Sequence, residues 1–124
     1  MTTMELLQKT RAAWPRLSTA PAEEKDRLLR AMADALEEHI PAILQANRQD
    51  MEDAAGHISA VMLDRLRLDE GRIRAMAEGI RAAAALPDHT GRVLTQLTRP
   101  NGMTIAKVQV PLGLVAIIYE SRPN

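Results

Sequence analysis

The stretch RVLTQLTRPNGMTIAKVQVPLGLVAIIY, residues 92–119, is where the hydrophobic period of this chain changes from helical to extended. Two β-prone runs, 92–99 and 103–110, flank Pro100-Asn101-Gly102 and together make a hairpin signal. Asn-Gly suits a two-residue type I′ turn, whose central positions both need positive φ, so that turn is expected here. The run that follows, 114–119, is different in kind. It is apolar and β-branched with no alternation, the pattern of a strand buried on both faces. Such strands lie in parallel sheets, whose neighbours are reached through crossovers of about a dozen residues or more. Five residues follow this run, so the sequence reads as ending in mid-fold.

Upstream of residue 91 the period is helical. A first helix is expected over 3–17, with Leu7, Thr10, Trp14 and Leu17 on one face and Pro15 kinking or ending it. Ser18 and Thr19 as caps, Pro21, and the first-turn acids Glu23 and Glu24 then mark the start of a helix reaching about residue 39. Its apolar stripe is Leu29, Met32, Leu36 and Ile40, and the pairs Glu23/Arg27 and Asp26/Arg30 lie on the other side. Pro41 opens a separate helix to about residue 55, with Ile43, Leu44, Met51 and Ala54 inward and Gly56 closing it. Ser59 is placed to cap a short helix through 66, and Asp69 to cap one over 70–86. Ile73, Met76, Ala77, Ile80 and Ala84 form the stripe of that last helix, which Gly79 weakens by about 1 kcal/mol relative to Ala.

Composition narrows the function. Sixteen Lys+Arg balance sixteen Asp+Glu, with both signs mixed along 124 residues, so the electrostatic footprint of a nucleic-acid binder or a cationic membrane-surface protein is missing. The longest apolar stretch, 108–119, contains Gln109, Pro111 and Gly113 and falls well short of the roughly 20 residues needed to span a bilayer. The acid at Glu5 and the lack of an apolar core near the start argue against a secretory signal, and a cytoplasmic location is expected. With no cysteine, these residues hold no disulfide, zinc-thiolate site or thiol nucleophile.

The sequence contains no glycine-rich phosphate loop, calcium loop or nucleophile elbow. His39, His57 and His89 fall at expected helix ends or loops and read as surface or capping residues, and the seven methionines read mainly as core filling, so no metal site is expected. Neighbouring acids such as Glu37 and Glu38 point about 100° apart on a helix and read as a solvated face. Residues 120–124, Glu-Ser-Arg-Pro-Asn, differ, because they follow the apolar run directly. In open α/β sheets ligands bind beyond the carboxyl ends of the strands, which is where these residues fall. The Arg122 guanidinium suits a phosphate or carboxylate, and the Asn124 side-chain NH₂ suits an oxygen that gains charge in a transition state. A solvated turn ending the strand is the plain alternative.

The segment VPLGLVAIIYESRPN, with LTRPNGMTIAKVQVPLG, DRLRLDEGRIRAMAEGIRAAAALPD and ANRQDMEDA upstream, resembles γ-glutamyl phosphate reductase of the aldehyde dehydrogenase superfamily. The resemblance covers nearly all of the chain from about residue 23. It implies an α/β fold of which this chain holds only the N-terminal portion: N-terminal helices, a β-hairpin arm and the first strand of a Rossmann-like parallel sheet. On that basis 1–91 is the helical part of a cofactor-binding domain, 92–110 the hairpin of an oligomerisation arm, and 111–124 the first strand and loop of the nucleotide-binding sheet. The implied reaction is NADPH-dependent reduction of L-glutamyl 5-phosphate to L-glutamate 5-semialdehyde and phosphate, the second step of proline synthesis from glutamate. The implied partners are that small-molecule substrate and further copies of the chain. The resemblance makes Asn124 the oxyanion candidate, assigns Arg122 to substrate binding, and places Tyr119, Glu120 and Ser121 against the dinucleotide. The superfamily's commoner loop is Pro-Trp-Asn-Phe-Pro, so the Asn is displaced here and Arg122 competes for its place. The family's nucleophilic cysteine lies outside these residues, which are expected to be inactive alone. The rival readings are a non-catalytic helical interaction module, whose hairpin adds strands to a partner's sheet, and another acyl-reducing relative.

Overall fold

A computed structural model describes residues 2–118. The order of elements is α1 (Thr3–Thr19), α2 (Ala22–Glu38), α3 (Ile40–Ala54), α4 (Ala60–Leu66), α5 (Glu70–Ala84), β1 (Val93–Thr98) and β2 (Thr104–Val108). The described residues divide into two units, 2–22 with 87–116 and 23–86 with 117–118.

The helical unit, 23–86, is built by its caps and stripes. Ser59 accepts from the Met62 amide at 3.3 Å to start α4, and Asp69 accepts from the Arg72 amide at 2.7 Å to start α5. Each satisfies a donor that the first helical turn leaves without an intrahelical partner. Helices α2 and α3 are separate because the chain leaves helical geometry at His39 (φ −96°, ψ 11°), and Pro41 then occupies the first turn of α3, where its missing N–H costs nothing. The His39 ring nitrogen Nδ1 lies 2.8 Å from the Ala35 carbonyl in the last turn of α2, a capping position. Helix α3 packs on α4 and α5. The core is small: Ile73, Ala77 and Ala84 of α5, Ala33 of α2 and Ile40 of α3 are buried. Burying Ile73, the largest fully buried side chain, is worth roughly 1.5–3 kcal/mol, and Ile40 is the other large apolar residue of this core.

Two expectations for the helices need correcting. Helix α1 runs through Pro15 to Thr19, giving up only the one bond that a proline, with no N–H, cannot make. Ser18 Oγ donates to the Pro15 carbonyl at 3.0 Å, and Thr19 Oγ1 donates to the carbonyls of Pro15 and Arg16 at 3.2 and 3.3 Å. Those hydroxyls therefore close α1 and do not cap α2. In α2 the buried position is Ala33, flanked by half-buried Leu29 and Leu36, while Met32 is 57% exposed. The inward face therefore runs through Ala33 and not through Met32.

The other unit holds α1, which buries no residue, and an antiparallel hairpin. Leu97 pairs with Ile105 and Thr98 with Thr104, and an irregularity at Leu94 separates the Val93–Val108 and Thr95–Lys107 pairs. The expected two-residue turn is in fact a three-residue loop. Gly102 N–H donates to the Arg99 carbonyl at 2.9 Å and Arg99 N–H to the Met103 carbonyl at 2.8 Å, leaving Pro100, Asn101 and Gly102 in the loop. The bond from Gly102 to Arg99 makes Pro100 and Asn101 the central residues of the turn, where the negative φ fixed by the Pro100 ring fits the first, and Gly102 follows with a positive φ of +84°. Asn101 Oδ1 accepts from the Met103 amide at 3.1 Å and fastens the loop from within. Every residue of both strands is exposed.

Candidate functional site

Tyr119, Glu120, Ser121, Arg122 and Asn124, the residues that the sequence singles out for chemistry, lie outside the described residues. The structure does describe the approach to them. Gly91 N–H donates to the Gln109 carbonyl and Gln109 N–H to the Arg92 carbonyl, both at 2.9 Å, extending the ladder beyond β1 and β2 to the threshold of the apolar segment. Gln109 Oε1 is buried there without a partner. Beyond it, residues 111–118 belong to no strand. Leu112 and Ile118 are each 98% exposed, and Leu114, Val115 and Ile117 are exposed as well. The run expected to be a parallel strand is thus an uncovered apolar segment. Its physical reason is the lack of a strand beside it among the described residues, since a parallel strand is held by bonds to neighbours.

The polar constellations that the described residues do build are in the helical unit. Arg81 of α5 reaches Asp34 Oδ1 at 2.7 Å and Glu37 Oε2 at 2.8 Å on α2, and Glu78 Oε1 at 2.9 Å on its own helix. Arg74 stands 3.7 Å from Glu37 and 2.8 Å from Glu70. The hydrogen bond from Arg81, with the charges of Arg81 and Arg74, holds the Glu37 carboxyl below the ordinary carboxylate range, although partial desolvation opposes this. Glu37, read from sequence as part of a solvated acidic pair, is instead half-buried against Arg81. Each of these four carboxylates contacts one or both of the two guanidiniums, and the cluster fastens α2 to α5.

Asn47 of α3 is the buried polar residue that sequence reading missed. Its Nδ2 donates to the Leu66 carbonyl at 2.9 Å and its Oδ1 accepts from the Leu68 amide at 2.7 Å, clasping the link between α4 and α5. The signal was present in the sequence: Asn47 lies three residues after Leu44 and four before Met51, on the apolar stripe, where a polar side chain must have a buried partner. Arg72 secures the same link by donating to the carbonyls of Asp64 and Arg67. Beside this clasp is an open groove of about 470 Å³, with Leu44, Met51 and Leu68 on its floor and Arg48, Glu52 and Glu70 along its rim.

In the doubly wound dinucleotide-binding fold, a strand-to-helix turn presents backbone amides to the phosphates. The described residues contain no such turn: the two strands form a hairpin, and no helix follows either of them directly. Among the described residues, no group of three or more His, Cys, Asp or Glu side chains is placed to hold a metal ion, and no helix is long and apolar enough to cross a membrane.

No family model matches the chain. The crystal structure of gamma-glutamyl phosphate reductase from Thermotoga maritima superposes on it with a TM-score of 0.83 and 35% identity, over 87% of this chain and 26% of that one. The fold of this chain is therefore part of the fold of that enzyme. Curated proteins named gamma-glutamyl phosphate reductase are 55% identical in Neisseria meningitidis serogroup C, 51% in Streptococcus suis and 50% in Brucella anthropi, over 98%, 99% and 97% of this chain. By sequence and by fold the chain is homologous to the gamma-glutamyl phosphate reductases, and it spans about 29% of the length of the curated relatives it matches.

Proposed function

We propose that these 124 residues are the amino-terminal portion of an enzyme that reduces L-glutamyl 5-phosphate to L-glutamate 5-semialdehyde with release of phosphate, the second step of proline synthesis, in the cytoplasm. The observation that carries this reading is identity of 50–55% to gamma-glutamyl phosphate reductases over nearly the whole chain. Residues 1–91 are the helical part of a cofactor-binding domain, 92–110 the hairpin of an arm that joins copies of the chain, and 111–124 the first strand and loop of the nucleotide-binding sheet.

A thiolate from outside these residues displaces phosphate from the acyl carbon, since the sequence has no cysteine. NADPH, when bound, supplies the hydride. The chain's own contribution is positioning. Asn124 donates its side-chain NH₂ to the oxygen that gains negative charge, Arg122 binds the substrate's anionic group, and Tyr119, Glu120 and Ser121 face the dinucleotide. An uncovered apolar segment leading straight into these polar residues supports the arrangement, because once flanked by parallel strands it would end at a carboxyl edge, where ligands bind.

The test is to assay the longer protein that contains this chain for oxidation of glutamate 5-semialdehyde with NADP⁺, with and without phosphate. NADPH formation that depends on phosphate is expected. Turnover that ignores phosphate, or none with this aldehyde, would move the protein to another acyl-reducing relative.

A further inference from the structure

We draw no further inference here: the strongest candidate, the open groove beside the link between α4 and α5, floored by Leu44, Met51 and Leu68, is an apolar surface with charges of both signs at its rim, and nothing in the structure shows what covers it.

Discussion

The helical unit and the hairpin with its following apolar segment satisfy the same chain chemistry in opposite ways. In the helices, stripe residues of α5 are buried, the helix starts are capped by Ser59 and Asp69, and the polar Asn47 has both ends of its amide bonded inside the unit. In the hairpin, hydrogen bonds pair the two strands, but Val93, Leu94, Leu97, Ile105 and Val108 all remain exposed. An isolated two-stranded hairpin is marginally stable at best in water, and exposed strand edges invite further pairing. Helical residues close their backbone bonds locally, whereas strands need a neighbour. The contrast shows which part of the chain can support itself and which part is written for a partner.

That contrast can be broken by substitution. Ile73→Ala should cost about 3 kcal/mol of stability, because Ile73 is fully buried and its truncation leaves a cavity, whereas Leu97→Ala in β1, 44% exposed, should cost about 0.5 kcal/mol. Urea unfolding of both variants checks this, and equal shifts in midpoint would erase the distinction. Asn124→Ala in the longer protein should lower kcat by about 100-fold while leaving KM nearly unchanged, if its amide bonds an oxygen charged only in the transition state. Steady-state kinetics decide it, and a change confined to KM would assign Asn124 to substrate binding.

Asn47→Ala should destabilise the helical unit by about 2 kcal/mol, since it strands the Leu68 amide and frees the link between α4 and α5. Faster amide exchange at Leu68, with the hairpin unchanged, is the expected reading. The smallest effect is pH-dependent. The Glu37 pKa is lowered in the folded chain, so its contribution is fully present above the ordinary value of 4.5 and is lost as pH falls through the lower folded value. Arg81→Gln should lower stability slightly at neutral pH, a deficit that shrinks as pH falls below about 4.5, and the effect is small because the cluster is open to solvent.

Most of the helical unit was legible because its signals are local. Ser59, Pro41 and Asp69 mark boundaries by the hydrogen bonds or φ angles they supply, and the stripe through Ile73, Ala77 and Ala84 follows helical geometry alone. Pro15 was misread because a proline removes one bond of the helix without having to end it, and the hydroxyls of Ser18 and Thr19, which resemble caps for the next helix, bond back into α1. The hairpin was legible, but its loop was not, since Pro100 shifts an Asn-Gly signal from a two-residue to a three-residue turn. The Arg81 cluster joins residues more than 40 positions apart, and nothing in local sequence selects Glu37 over Glu38 as the partner. For 114–119 the pattern announced a strand, but a strand's pairing depends on residues elsewhere. Of the residues proposed just beyond it, the pattern itself singles out Arg122 and Asn124, while the roles of Tyr119, Glu120 and Ser121 come only from family resemblance.

The most direct test of the contrast is amide hydrogen exchange on these 124 residues and on the longer protein, followed by mass spectrometry of matched peptides. The account predicts that the α5 core peptide spanning 73–84 is protected in both, while 93–108 and 114–118 exchange freely in the short chain and become protected in the longer one. Protection of 114–118 in the short chain, or free exchange there in the longer protein, would contradict it.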